Sequence, residues 1–233
     1  MDFRDRHVVV TGGTGVLGTE VVGVLLEAGA TCHVPCLEEA ETKRFPHRAH
    51  PRAKLVATGT LTEEAAVARL YDAVPKLWAS IHLVGGFAMS PVGETDKAAL
   101  MRQIDVNFVT CFLCCRAAVR AIKRGKAGGR IVNVAARPAL EWRAGAGMAA
   151  YAASKAAVAA LTVALAEEVA NDGILVNAVA PSILDTPANR KAMPKSDHAL
   201  WPKVEEVART ILFLASPDNQ VTRGAVTPVY GRT

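Results

Sequence analysis

Tyr151 and Lys155 stand four residues apart in "AAYAASKAAV" (149–158). On a helix that spacing places both side chains on one face. An ammonium beside a phenol stabilises the phenolate, so the pair predicts a Tyr151 pKa below the ordinary value of about 10. A tyrosine tuned in this way can give or take a proton at a substrate oxygen or nitrogen near neutral pH. Such a pair usually works with an upstream hydroxyl that holds the substrate. Between Ile131 and Ala150 the chain has no serine and no threonine.

A second group of residues lies far upstream. "VVVTGGTGVLG" (8–18) puts Gly12, Gly15 and Gly18 three apart, directly after an apolar β-branched run. Glycine permits a tight strand-to-helix turn and lets backbone approach a pyrophosphate. The helix that follows offers free N–H groups and the positive end of its dipole. The turn Gly12, Thr14, Gly15, Val16, Leu17 and Gly18 is therefore expected to bind a dinucleotide. Lys155 can then hydrogen-bond the nicotinamide ribose as well as tune Tyr151.

These residues need a scaffold, and the chain alternates two kinds of segment. Short apolar runs at 7–12, 31–36, 54–58, 80–86, 130–135, 175–181 and 225–230 read as strands. Helical patterns fill about 15–28, 62–74, 97–124, 150–171 and 204–215. Continuously apolar strands are those buried on both faces. Alternating βα units imply a doubly wound parallel α/β sheet of about seven strands, Rossmann-type, with helices on both faces. Pro228 cannot donate to a ladder, which places the last strand at an edge. No internal repeat or linker divides residues 1–233, so a single domain is expected.

The bulk numbers exclude several classes. A 233-residue chain that is 51% hydrophobic and 21% charged can bury one sizeable core. The net charge is +5, and the densest basic stretch, "KRFPHRAHPRAK" (43–54), has no aromatics interleaved as a stacking surface would need. It reads as a solvated connection, and no nucleic-acid partner is expected. Five cysteines show no disulfide or zinc spacing. Cys111, Cys114 and Cys115 read as small core residues of a chain in a reducing compartment. His47 and His50 lack further ligands nearby, so no metal is expected. No signal peptide and no membrane span is read, which makes the cytoplasm the expected location.

Along essentially its whole length the chain resembles the short-chain dehydrogenase/reductase family. "TGGTGVLG" is similar to that family's nucleotide turn, although the family's usual glycine is Val16 here. "LVGGFA" (83–88) takes the place of its turn after strand 4, so Gly85 and Gly86 are expected beside the cofactor. "IDVNF" supplies Asn107, which the resemblance assigns to a proton relay with the lysine, and "YAASK" matches the catalytic helix. "VAPSILDTPANR" resembles the stretch after strand 6, where Pro181, Ile183 and Thr186 would line the nicotinamide. The resemblance thus implies an NAD(P)H-dependent oxidoreductase of a small molecule, with Tyr151, Lys155 and Asn107 as catalytic residues. It also implies a homodimer or homotetramer, built on the long helices that include 150–171.

Two departures shape the reading. Ala135 and Ala136 stand where the family's catalytic serine follows strand 5, and Thr60 stands where an acid usually contacts adenine. The branch most similar in this respect is that of dihydropteridine reductase, which pairs tyrosine and lysine without the serine and has a Gly-Gly-aromatic turn like Gly85-Gly86-Phe87. That branch implies a quinonoid pterin, a quinone or an imine as acceptor. Two other readings stay open: an ordinary carbonyl or alcohol oxidoreductase with Arg137 or Ser182 as substitute donor, and a cofactor-binding sensor without catalysis. "PANRKAMP" (187–194) reads as a short mobile segment over the site, with Asn189, Arg190 and Met193 as substrate contacts or a solvated loop. The choice between NAD and NADP is also open. Cys36 and Leu37 end the second strand, Glu38 and Glu39 follow, and the first bases are Lys43 and Arg44.

Overall fold

Val8, Val9 and Val10 are all fully buried, yet Val8 and Val10 pack into one core cluster and Val9 into another. That split requires a strand covered on both faces. The computed structural model, which describes residues 1–233, supplies both covers. Strand β1 (His7–Thr11) lies in a seven-stranded sheet with β2 (Thr31–Cys36), β3 (Ala53–Ala57), β4 (Leu77–His82), β5 (Gly129–Val134), β6 (Ile174–Pro181) and β7 (Val226–Val229). The order is β3-β2-β1-β4-β5-β6-β7, and every pair is parallel. This is the expected Rossmann-type doubly wound sheet, and β7, with Pro228, is at its edge.

Helices α1 (Val16–Glu27), α2 (Glu39–Arg44), α3 (Glu64–Asp72), α4 (Lys97–Ile104), α5 (Thr110–Gly125), α6 (Ala149–Glu168), α7 (Pro187–Ala192) and α8 (Val204–Ala215) cover and edge it. Helices α1 and α8 pack together on one face, around Val21, Leu25 and Ile211. Helices α3, α5 and α6 cover the other, around Leu70, Cys114 and Val158. The three cysteines of α5 are all buried on that second face. Segments Lys97–Gly125 and Ala149–Glu168 are long and apolar enough to span a bilayer, but both pack on the sheet.

Three sequence expectations are corrected. Strand β4 begins three residues earlier than expected and ends at His82, because Leu77 enters the core and the chain leaves the sheet before Gly85-Gly86. Helices α2 and α7 were not legible, since neither buries a single residue and so neither has an apolar stripe. The basic stretch 43–54 is more than a solvated connection. Phe45 is buried, His47 Nε2 lies 3.1 Å from the Thr19 carbonyl, and Arg52 donates to the Leu26 carbonyl at 2.9 Å.

Candidate active site

The carboxyl ends of β1, β4, β5 and β6 carry the candidate residues to one edge of the sheet, where ligands bind in open α/β folds. Gly12 opens the turn after β1 at φ +67°, and a Cβ there would lie 2.9 Å from the Val84 nitrogen. Gly18, buried in the first turn of α1, would drive a Cβ into the Gly12 carbonyl and to 2.6 Å from Gly13 Cα. Only glycine lets helix and strand meet this closely. Gly15 caps α1 without a side-chain hydrogen bond, so the first N–H groups of the helix remain available to an anion. Gly15 and Val16 are exposed, while Thr14 and Leu17 are half-buried. The cradle fits a pyrophosphate.

Lys155 enters from α6 and is buried. Its ammonium donates to the Val134 carbonyl at 2.8 Å, at the last residue of β5. Burial pulls its pKa down to about 8, against a smaller upward effect of Cys111. Tyr151 lies one turn earlier, partly buried, with the Phe87 ring set edge-on at 5.0 Å between centroids. The expected lowering of its pKa is not found. Burial pushes the phenol up to about 12, and the Lys155 ammonium is engaged with the strand carbonyl. Tyr151 is therefore an acid that keeps its proton.

Asn107 lies in a π-helical turn, Asp105–Val109, between α4 and α5. Such turns place a side chain where a regular helix would not. Its Oδ1 accepts from the Gly86 backbone N–H at 3.0 Å, and its Nδ2 donates to the Gly86 carbonyl at 2.9 Å and to Ser154 Oγ at 3.1 Å. Ser154 in turn donates to the Tyr151 carbonyl at 2.7 Å. The side chain thus clamps the Gly85-Gly86 turn to the tyrosine helix. Sequence reasoning missed Ser154 and Gln103, whose Oε1 is 3.4 Å from Asn107 Nδ2. Helical spacing was the available signal, because Gln103 is one turn before Asn107.

Ala135 and Ala136, both buried, lead out of β5 beside Val134. Both candidate substitute donors already have partners. Arg137 pairs with Glu141 at 2.7 Å and lies over the Tyr230 ring, and Ser182 donates to the Tyr230 carbonyl at 2.9 Å. Pro181 ends β6, buried, and Ile183 beyond it is 40% exposed. Thr186 is buried and its hydroxyl caps α7, accepting from the Asn189 N–H at 3.2 Å. The stretch read as a mobile segment is largely this short helix. Asn189 donates to the Leu184 carbonyl and Arg190 pairs with Asp185 at 2.8 Å, so both have partners just before the segment. Near the second strand, Glu39 pairs with Lys43 and Glu41 accepts from the Leu37 N–H.

A glycine cradle, a buried lysine and a tyrosine one turn away are thus gathered at one sheet edge. Residues 6–197 match the family model described as short chain dehydrogenase. The chain belongs to the short-chain dehydrogenase family. One relative in that family is cis-4-hydroxycyclohexanecarboxylate dehydrogenase of Sinomonas cyclohexanicum, 34% identical over 98% of this chain and 96% of its own. Another is galactitol 2-dehydrogenase of Rhizobium johnstonii, 33% identical over 96% of this chain and 93% of its own. A short-chain type dehydrogenase/reductase from Mycobacterium ulcerans shares the fold with a TM-score of 0.88, at 25% identity over 99% of this chain and 90% of that one. As a member of the short-chain dehydrogenases the protein is an NAD(P)-dependent oxidoreductase of small molecules, and its glycine cradle fits that cofactor.

Proposed function

We propose that the protein is a reductase whose acceptor is a small conjugated molecule, such as a quinonoid pterin, a quinone or an imine, with Tyr151 as general acid. Bound NAD(P)H would supply the hydride. The observation that carries this reading is the stretch after β5: Ala135 and Ala136 bring no hydroxyl, and Arg137 and Ser182 are engaged elsewhere. Hydride arriving at a simple ketone leaves charge on one oxygen, which a second donor would normally share. A quinonoid acceptor spreads that charge over its ring, so one proton from Tyr151 completes the reduction. Lys155 orients Tyr151 and reaches the ribose, and Asn107 holds the turn beneath the nicotinamide. Gly85, Gly86, Pro181, Ile183 and Thr186 form the walls around the nicotinamide.

The named relatives favour a second reading, a secondary-alcohol dehydrogenase, with the Tyr151–Lys155 pair acting alone. A non-catalytic sensor has less support, because a buried lysine with no carboxylate beside it is costly to keep where no chemistry uses it. The test is purified protein with NADH or NADPH and a panel of quinonoid dihydropterin, quinones, cyclic ketones and cyclic alcohols, followed at the nicotinamide absorbance. Turnover of quinonoid acceptors, lost in Tyr151→Phe, is expected. Turnover confined to ketones and alcohols would replace the first reading by the second. Cofactor binding without any turnover would favour the sensor.

A further inference from the structure

Beneath the active site, on the α5 side of the sheet, lies a group of side chains that the proposed reaction does not use. His82 ends β4, and Asn133 is its register partner on β5. Cys111 and Cys115 are one turn apart on α5, so both thiols face the same side. All four residues are at least nine-tenths buried. The ligand atoms of His82, Cys111 and Cys115 lie within 4.8 Å of one another. Cys115 Sγ is 3.5 Å from His82 Nδ1 and 3.4 Å from Asn133 Oδ1.

From these distances we infer that His82, Cys111 and Cys115, with Asn133 Oδ1 as fourth donor, form a buried structural zinc site. Zinc–ligand bonds of about 2.0–2.3 Å in a tetrahedron set its donor atoms roughly 3.3–3.8 Å apart. Both Cys115 distances fall in that range. The His82 Nδ1 to Asn133 Oδ1 distance of 2.8 Å is shorter, a hydrogen bond that must open by roughly half an ångström on loading. Charge selects the metal. Two thiolates and a neutral imidazole cancel a divalent cation, whereas a monovalent soft cation such as copper(I) would leave a net negative charge in the core.

The protons balance without any redox step. Asn133 Nδ2 donates to Thr162 Oγ1 at 2.9 Å, and the Thr162 hydroxyl donates to the Val158 carbonyl. That fixes Asn133 Oδ1 as an acceptor, and in the metal-free protein His82 Nδ1 carries the proton that it accepts. Zinc forms bonds to two sulfurs, to Nδ1 and to Asn133 Oδ1. Each sulfur binds as a thiolate, any proton it still carries leaving to solvent, and the imidazole proton moves to Nε2. Ser80 Oγ, 2.8 Å from Nε2, is placed to accept it, and Tyr71 OH closes the shell at 3.2 Å. An acceptor on the far ring nitrogen fixes tautomer and ring orientation in metal-binding histidines.

A closed site of this sort loads as the chain folds, so the test is made on the full chain expressed with added zinc and, separately, refolded from denaturant with equimolar zinc. Metal content is measured after gel filtration against a weak chelator. One equivalent of zinc is expected, with protons released on binding. Cobalt(II) in its place should give the intense thiolate charge-transfer absorption of a tetrahedral site. Cys115→Ser should lose the metal, and Cys114→Ser, which changes the neighbouring cysteine outside the trio, should keep it. Trace metal only by both routes, copper(I) in place of zinc, or equal zinc in the two variants would overturn the inference. Should Cys115→Ser fail to fold, the cobalt spectrum of the unaltered chain still decides.

Discussion

Lys155 donates to the carbonyl of Val134 at 2.8 Å, which ties the tyrosine helix to the last residue of β5. The lysine therefore does two things at once. It fixes α6 against the carboxyl end of β5, and it carries a charge whose cost burial has raised. A group held this way loses its proton earlier than an exposed lysine, and the site should register that loss.

In the proposed mechanism, reduction needs Tyr151 protonated and the Lys155 charge in place. Burial holds Tyr151 near 12, so it stays an acid throughout the working range. Burial brings Lys155 down to about 8, so its charge is complete below that pH and lost above it. The reductive kcat/KM should be flat from pH 6 to 7.5 and fall about tenfold per unit well above pH 8. Lys155→Met should lower kcat by roughly two to three orders of magnitude and remove that limb of the profile. An unchanged profile in Lys155→Met would break the assignment.

Much of this site was legible because its parts are local in sequence. The valine run before Gly12 and the spacing of Tyr151 and Lys155 each specify an element and a position on it. What was not legible depends on register and burial. His82 and Asn133 are 51 residues apart and meet only because β4 and β5 pair as they do. The upward pull on Tyr151 could not be read from its neighbours, since burial is a property of the packed chain. Helix α7 carries no apolar stripe, so nothing in the hydrophobic pattern marked it.

A second titration concerns stability. His33 Nε2 lies 2.9 Å from His7 Nδ1 across β1 and β2, and one N–H must sit between them. Burial, then His7 and Lys54, pushes the His33 pKa down to about 4. A histidine depressed in the folded state leaves stability intact above its unfolded pKa of about 6.5 and withdraws it as pH falls toward 4. The loss should be on the order of 2 kcal/mol, once partial solvation is allowed for. Urea unfolding at pH 7 and pH 4.5 should show it, and His33→Val should flatten the difference.

Assembly is a third expectation. Phe112 on α5 is 43% exposed and Val163 on α6 is 46% exposed, on the helices that cover one face of the sheet. Large apolar side chains in this position suit a two-fold contact with a second copy. Sedimentation at micromolar concentration should show a dimer or tetramer, and Phe112→Glu should shift it toward monomer with the fold intact. A monomeric parent chain would end this reading.

The turn after β4 offers the sharpest test of positioning. Gly85 does not need a left-handed backbone, so alanine there carries no conformational strain. Its Cβ would instead lie 2.7 Å from Asn107 Oδ1 and 3.1 Å from Lys155 Nζ. Both neighbours are buried and bonded, Asn107 to Gly86 and Ser154, Lys155 to Val134, so neither can yield without moving the tyrosine helix or the turn. Displacements of several tenths of an ångström at reacting groups cost one to two orders of magnitude in rate, so Gly85→Ala should lower kcat by roughly 10–100-fold. Its melting temperature should change little, because most of the core is untouched. Gly93→Ala, where an added Cβ meets nothing within 4 Å, is the matched control and should retain full activity. Equal activity in the two variants would show that the contact between Gly85, Asn107 and Lys155 does not set the geometry of the reaction.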